Sequence, residues 1–337
     1  MHEQPLREQT LPVPEASNAD PSAALGGPGW LAAVRRGFLA TRPPFFAASI
    51  MPVLVGTAWA ASSAHRFDGL TFALALGATV LAHAATNVYN DVGDDLNGAD
   101  AGNTERMHPY TGGSRFIQAE LLTRADMTRL ALGLALAAML VGVALALLRG
   151  PGVIVLGALG LLLGLLYSLP RVQLSARGIG EAAVATGLGA LPVLGAVWLQ
   201  TGAVDAGAVL ICLPVSAWVG AILVINEVPD MEADRRVGKR TLVVRWGASG
   251  ARHIYGTLTV VALMANLLAV HYCHLPVWYA VVAVALAALG RAALRGISRY
   301  PGRRLRLRRS IEWTLAIHSI GCLALVAAAL STGSFAA

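Results

Sequence analysis

The sequence predicts an all-α integral membrane protein with nine membrane-spanning helices. Of its 337 residues, 56% are hydrophobic and only 13% are charged, and the mean hydropathy is +0.61. A soluble domain carries about 25% charged residues. Nine apolar stretches each approach the roughly 20 residues with which a helix crosses a bilayer. The composition therefore excludes an ordinary soluble domain.

The nine candidate spans are separated by connections of alternating character. In chain order the spans are Pro44–Ala61, Leu70–Tyr89, Leu130–Leu148, Val153–Leu169, Ile179–Leu199, Ala206–Ile225, Ile254–Tyr272, Val277–Leu294 and Ile311–Leu330. Short turns alternate with long charged connections, which cover Val92–Arg129, Pro229–His253 and Gly290–Ser310. The alternation indicates that all the long connections lie on one side of the membrane.

The basic residues predict which side that is. With a cytoplasmic N-terminus, 24 of the 26 Lys and Arg residues lie on the cytoplasmic side, and only Arg66 and Arg149 do not. We therefore expect a bacterial-type inner membrane protein whose long connections are cytoplasmic. The cluster Arg303–Arg309 is interpreted as an anchor near anionic lipid headgroups and not as a nucleic-acid site.

The chain divides into two parts. Residues 1–43 are polar and rich in Pro and Ala, and they predict a mostly disordered cytoplasmic tail with a surface helix near Trp30–Phe38. Residues 44–330 predict the membrane domain.

An acidic pattern, N-x3-D-x3-D, occurs twice. Both copies lie at the predicted cytoplasmic exit of a span, and they are offset by 139 residues: Asn87, Asp91 and Asp95, then Asn226, Asp230 and Asp234. Steps of four place side chains on nearly one face of a helix, where like charges repel unless a cation binds them. Carboxylate and amide oxygens suit Mg²⁺, which usually bridges to substrate phosphates. Two such rows predict a magnesium–diphosphate clamp.

Basic residues in the same connections would complete this clamp. They are Arg106, Arg115, Arg171, Lys239 and Arg240. Gly112 and Gly113 would let the backbone approach a phosphate closely. A cation or proton transporter with intramembrane carboxylates is the competing interpretation, but these acids lie at span ends and have basic neighbours.

The residues resemble the UbiA superfamily of intramembrane aromatic prenyltransferases. The resemblance rests on "NVYNDVGDD" (Asn87–Asp95), "NEVPDMEADRRVGKRTLVVRWG" (Asn226–Gly247) and "YSLPRVQLSARGIGEA" (Tyr167–Ala182). Within the superfamily, "RPPFFAASIMPVLVG" (Arg42–Gly56) and "TGGSRFIQ" (Thr111–Gln118) are most similar to the 1,4-dihydroxy-2-naphthoate polyprenyltransferase branch of menaquinone biosynthesis.

The resemblance implies a fold, a reaction and a role for each motif residue. The fold is a ring of nine helices around a central cavity that opens to lipid. Mg²⁺ on the diphosphate would be held by Asn87, Asp91, Asp95, Asn226, Asp230 and Asp234, with help from Asp94. Phosphate oxygens would be bound by Arg115, Arg171, Lys239 and Arg240, and Tyr167 would place the diphosphate or the allyl carbon.

The expected reaction is Mg²⁺-dependent transfer of a polyprenyl group to an aromatic acceptor through an allylic carbocation. The partners implied are a polyprenyl diphosphate, the acceptor and the lipid bilayer. Another acceptor such as 4-hydroxybenzoate, a transporter of a cation or phosphorylated lipid, and a non-catalytic scaffold remain alternatives. The prenyl chain length and the oligomeric state are left open.

Overall fold

The computed structural model describes Leu25, Gly27 and residues 29–333, and the regular structure of these residues is entirely helical, as predicted. The helices are α1 (Trp30–Ala40), α2 (Ala47–Ser63), α3 (Gly69–Asn97), α4 (Arg124–Arg149), α5 (Gly152–Ser168), α6 (Gly180–Val184), α7 (Leu191–Thr201), α8 (Ala206–Arg236), α9 (Leu242–Tyr272), α10 (Val277–Ile297) and α11 (Arg304–Gly333). Helix α1 covers the segment for which a surface helix was predicted. Most of the predicted tail, residues 1–24, lies outside the described residues.

Every predicted span coincides with a helix, but the number nine is not confirmed. Among the described residues, eight helical segments are long and apolar enough to cross a membrane. The remaining apolar helix, α5, has 17 residues. At 1.5 Å per residue it is about 26 Å long, slightly less than the ~30 Å hydrocarbon core. The fifth predicted span is α6 and α7 joined by a π-helical turn at Ala185–Ala190.

Polar residues determine where helices begin, which the apolar content of the sequence does not define. Asp68 caps α3 by accepting a hydrogen bond from the Thr71 amide at 2.7 Å, and Asp205 accepts one from the Ala208 amide at 2.6 Å before α8. Such caps satisfy N–H groups that have no partner within the helix. At the other end of α3, Gly98 adopts a left-handed φ of 80° and ends the helix.

Helix α8 lies at the centre of the molecule. In the most apolar 18-residue stretch of α8, 72% of the residues are buried, compared with 17% in the corresponding stretch of α4. Helix α8 is therefore surrounded by protein, whereas most of the surface of α4 is exposed on the outside of the molecule. Ile211, Val215 and Trp218 of α8 belong to a core cluster that also contains Tyr279 of α10 and Leu325 of α11. Because α8 is held on several sides, its C-terminal acidic residues have a well-defined position.

Helices α2 and α7 pack closely at Gly56, and this contact leads to a stability prediction. A Cβ atom at Gly56 would collide with the backbone oxygen of Val193 and would lie 2.9 Å from Cβ of Ala196. We expect Gly56→Ala to destabilise the protein by about 1–3 kcal/mol, the usual cost of overpacking. The apparent Tm of the purified protein in detergent should therefore fall by several degrees.

Gly77→Ala is the matched control for this prediction. Gly77 lies within α3, and no atom lies within 4 Å of the position of its missing Cβ. Alanine has the higher helix propensity, so this variant should keep or slightly raise the Tm. Equal Tm values for both variants would contradict the close packing of α2 against α7.

Candidate active site

A cavity of about 600 Å³ lies between the helices, with an apolar part and a polar end. Helices α4 and α5 line the apolar part with small and aliphatic side chains, among them Met139, Val143, Gly157 and Gly160. The polar end lies where α3 and α8 finish, and we call it the acidic end. A cavity of this kind accommodates a ligand with a hydrocarbon tail and a charged head.

Seven of the side chains predicted to bind metal or diphosphate line the cavity. They are Asn87, Asp94, Tyr167, Asn226, Asp230, Asp234 and Lys239. The two acidic patterns, distant in sequence, therefore meet at one place. Asp91 lies immediately behind this surface and is 2% exposed.

Lys239 joins the ends of α3 and α8 directly. Its ammonium group forms an ion pair with Asp94 at the end of α3 and another, at 3.4 Å, with Asp234 at the end of α8. Burial disfavours the charged ammonium, but the two carboxylates outweigh burial and raise the pKa of Lys239. Lys239 thus links the two helices through ion pairs with one carboxylate of each.

The connection after α3 folds over the acidic end and binds both patterns. Asn103 Nδ2 and the Gly112 amide donate hydrogen bonds to Asp230, at 2.6 Å and 3.1 Å. The Ser114 amide donates to Asp91 Oδ2 at 2.9 Å. Gly112 has a φ of 70°, a left-handed conformation that glycine adopts without steric cost.

Five other predicted residues lie outside the cavity surface. Asp95 binds Arg124 at 2.6 Å and Gln118 at 3.1 Å on the outer side of α3. The guanidinium group of Arg115 donates to the backbone oxygens of Asp100 and Asn103, so it braces the connection after α3.

The remaining three are arginines on the outer surface. Arg171 and Arg240 are exposed, and Arg106 is half-buried beside Gly112. Their roles in binding phosphate stay predictions.

Several polar residues that line the cavity were not predicted from the sequence. Among them are Arg42, Asp100, Asn103 and Glu227. Arg42 precedes the first span, where a basic residue usually indicates topology, and its guanidinium lies 4.8 Å from the centre of the Phe45 ring. Glu227 stands beside Asn226 but outside the four-residue step, and its carboxyl interacts with that of Glu181. Asp100 and Asn103 follow the end of α3, so helical spacing could not detect them.

The acidic end contains oxygen atoms suited to binding a hard divalent cation. Three buried oxygens near it, Asp91 Oδ1, Asp100 Oδ2 and Asn226 Oδ1, have no hydrogen-bond partner in the described part of the chain. Burial and the neighbouring carboxylates of Asp91 and Asp94 raise the pKa of Asp100 to about 8. No ready-made cage of three or more His, Cys, Asp or Glu side chains occurs in the described residues. Oxygen ligands that leave room for water and phosphate are typical of Mg²⁺ sites.

Sequence comparison identifies relatives over most of the chain. Residues 49–315 match the model of the UbiA prenyltransferase family. The 1,4-dihydroxy-2-naphthoate octaprenyltransferase of Mycobacterium tuberculosis is 31% identical over 280 residues, which cover 82% of this chain and 93% of that protein. The enzyme of the same name from Escherichia coli is 31% identical, covering 68% of this chain and 76% of that protein.

Structural comparison identifies the same fold. A UbiA homologue from Archaeoglobus fulgidus, in a structure bound to DMAPP and Mg²⁺, superposes with a TM-score of 0.61. The alignment covers 85% of this chain and 97% of the homologue, at 13% sequence identity. The fold is thus retained although few residues are shared.

Proposed function

Because the chain belongs to the UbiA prenyltransferase family and is therefore a membrane-bound prenyltransferase, we propose that it prenylates 1,4-dihydroxy-2-naphthoate. The donor is a polyprenyl diphosphate, and the step belongs to menaquinone biosynthesis. The observation that carries the proposal is an apolar cavity whose acidic end holds Asp94 of α3, Asp230 and Asp234 of α8, and Lys239. The names of the two bacterial relatives support the choice of acceptor.

The cavity residues would bind the donor in two parts. The isoprenyl tail, which is hydrocarbon, would lie between α4 and α5 beside residues such as Val143 and Gly160. The diphosphate would lie at the acidic end, within reach of Lys239. Mg²⁺, when bound by Asn87, Asp91, Asp94, Asn226, Asp230 and Asp234, would neutralise the diphosphate as it leaves.

The positions of these groups support cleavage of the donor C–O bond and formation of a C–C bond with the acceptor. The C–O bond of the donor breaks, and its electron pair leaves with the diphosphate, whose growing charge Lys239 stabilises electrostatically. The ring carbon that bears the carboxylate of the acceptor attacks the allylic carbon and forms a C–C bond. The bond from this carbon to the carboxylate then breaks, CO₂ leaves, and the electron pair of that bond restores the aromatic ring. Apolar walls keep water from the allylic cation, and Tyr167, which lines the cavity, would place the reacting carbon.

We assign the acidic end to the cytoplasmic face and the protein to a bacterial inner membrane. The distribution of 24 of the 26 Lys and Arg residues supports this orientation. It gives the site direct access to water-soluble Mg²⁺ and to a carboxylated acceptor, while the tail remains in the apolar layer.

A radiolabel assay tests the proposal. The purified full-length protein in liposomes receives labelled geranylgeranyl diphosphate and Mg²⁺, with 1,4-dihydroxy-2-naphthoate or 4-hydroxybenzoate supplied separately. We expect lipid-soluble product with the naphthoate alone, and loss of product when EDTA is added. Product with the benzoate alone would overturn the acceptor but keep the reaction. Movement of intact diphosphate across the liposome membrane, without cleavage, would favour a transporter.

A further inference from the structure

Two buried glutamates, Glu181 and Glu227, lie together beside the cavity, and we call them the carboxyl pair. Glu227 lies on α8 seven residues before Asp234, so it is on nearly the same face of the helix but about 10 Å further from its C-terminal end. Glu181 is the second residue of α6, and its carboxyl group contacts that of Glu227. The two residues are 6% and 8% exposed. Ionisable residues buried within membrane-spanning helices are costly and usually functional.

The carboxyl pair has fewer hydrogen-bond donors than its oxygens require. Glu181 Oε1 accepts a hydrogen bond from the Leu242 amide at 2.7 Å, which fixes this side chain to the start of α9. Glu181 Oε2 and Glu227 Oε2 are buried and have no hydrogen-bond partner in the described part of the chain. Even one proton shared within the pair leaves further lone pairs on Glu227, which lines the cavity. Buried acceptors of this kind are costly unless a donor reaches them.

A third buried oxygen without a partner lies on the same part of the cavity wall. Ser175 lines the cavity, is 6% exposed, and its Oγ atom has no hydrogen-bond partner among the described residues. Gly180 brings it close to the carboxyl pair: a Cβ atom at Gly180 would lie 2.9 Å from Cα of Ser175 and 3.3 Å from Cε2 of Tyr167. Tyr167 in turn interacts electrostatically with Glu227. Two carboxyl groups, a hydroxyl group and an aromatic ring therefore form one polar patch.

The chemistry of this patch fits the acceptor and not the prenyl donor. Lys239 interacts electrostatically with Glu227, so a positive charge is already present, and the unmet need is for hydrogen-bond donors. An isoprenyl tail has no such donor, and a diphosphate would be repelled by the carboxyl pair. A hydroxyl group on an aromatic ring can donate a hydrogen bond to Glu227, and its ring can pack against Tyr167.

We propose that Glu227 and Ser175 bind a ring hydroxyl of the aromatic acceptor, and that Glu181 positions Glu227. The inference rests on the proposed function and adds to it the residues that recognise the acceptor. A hydrogen bond from the ring hydroxyl to Glu227 would increase the electron density of the ring beside Lys239, where the diphosphate leaves. Sites that bind a substrate hydroxyl in this way discriminate strongly against analogues that lack it.

Acceptor binding to a stalled complex tests the assignment. Full-length protein receives Mg²⁺ and farnesyl thiolodiphosphate, an analogue whose C–S bond resists cleavage, and is titrated anaerobically in a calorimeter. The ligands are 1,4-dihydroxy-2-naphthoate and its two analogues that each lack one hydroxyl. We expect Glu227→Met to raise the Kd of the dihydroxy compound at least about tenfold, as for loss of a hydrogen bond to a charged group. Glu232→Met, an exposed change on the same helix, is the matched control and should bind as wild type.

The analogues distinguish recognition of a hydroxyl from a general structural role. Glu227→Met should change the Kd of the analogue without the bound hydroxyl less than about threefold, and should weaken the other analogue as it weakens the parent compound. Equal losses for all three ligands, or wild-type affinity for the dihydroxy compound, would overturn the assignment.

Glu181→Gln separates acceptor binding from folding. The glutamine oxygen can still accept from the Leu242 amide, which directs its NH₂ group to Glu227 and gives Glu227 an internal donor. This variant should keep or raise the wild-type Tm, raise the Kd of the dihydroxy compound at least about tenfold, and leave that of farnesyl thiolodiphosphate within about threefold. Wild-type affinity for the dihydroxy compound would contradict the positioning role of Glu181.

Failure of this inference can be distinguished from failure of the proposed function. Binding of the naphthoate with the expected variant effects, but without prenylated product from the normal donor, would overturn only the proposed function. Product formation with an unchanged acceptor KM in Glu227→Met would overturn only the role of Glu227. If the wild type binds 4-hydroxybenzoate and not the naphthoate, the proposed acceptor is wrong, and the same comparison between 4-hydroxybenzoate and benzoate decides the role of Glu227.

Discussion

Asp230→Asn is expected to lower the rate of prenyl transfer at least about a hundredfold while the protein remains folded. Both oxygens of Asp230 point to the acidic end, where they accept hydrogen bonds from Asn103 and Gly112. Asparagine keeps the shape but removes the charge that would bind Mg²⁺. Loss of one preorganised electrostatic group in an active site usually costs 10²–10³ in kcat, or about 3–4 kcal/mol.

The rate is measured with saturating donor and acceptor, and it is normalised to folded protein by size-exclusion chromatography. Glu232→Gln is the control, because Glu232 lies two residues further along α8, is exposed, and forms its ion pairs with Arg235 and Arg236 on the outer surface. This control should keep the wild-type rate. If Asp230→Asn retained more than about a third of the activity, the acidic end would not be the site of diphosphate departure.

Lys239→Met is expected to destabilise the protein by about 3 kcal/mol. The lysine side chain is 8% exposed and stands between the carboxylates of Asp94 and Asp234. Removing one member of a buried ion pair leaves an uncompensated charge and typically costs 3–5 kcal/mol. The apparent Tm in detergent should fall by roughly 5–10 °C.

Two further variants separate charge burial from a general loss of contacts. Adding Asp94→Asn to Lys239→Met should recover part of the lost Tm, since one unpaired carboxylate is removed together with the lysine. Arg124→Met breaks an ion pair whose arginine side chain is 54% exposed, and such a pair contributes at most about 1 kcal/mol. A larger loss from Arg124→Met than from Lys239→Met would refute the bridging role of Lys239.

The helices could be predicted from sequence because the bilayer imposes a simple rule on them. Long apolar segments locate all of the helices that bear the site, and the repeated acidic pattern locates its polar end. The spacing of four was a less accurate guide to individual side chains. It placed Asp95 on the same face as Asn87, although Asp94, which has a better rotational match, is the residue that lines the cavity.

The site residues discussed next were not predicted because they lie in segments without regular secondary structure. Asp100 and Asn103 reach the cavity through a connection whose path depends on the left-handed conformations of Gly112 and Gly113. Arg42 does so from a left-handed position, with a φ of 59°, immediately before the first span. No periodicity relates such residues to their neighbours, so their positions follow only from tertiary contacts.

The bridge from Lys239 to Asp94 also has a consequence for biosynthesis. The two residues are 145 positions apart in the chain. At 5–20 residues per second, a ribosome needs about 7–30 s to reach the second after making the first. During this interval Asp94 has no ion pair with Lys239. Helices α4 to α8, which lie between the two residues in the chain, are synthesised before this ion pair can form. The acidic end is therefore completed late in synthesis, and a truncated chain that stops just before residue 239 would carry both rows of carboxylates without the lysine that joins them.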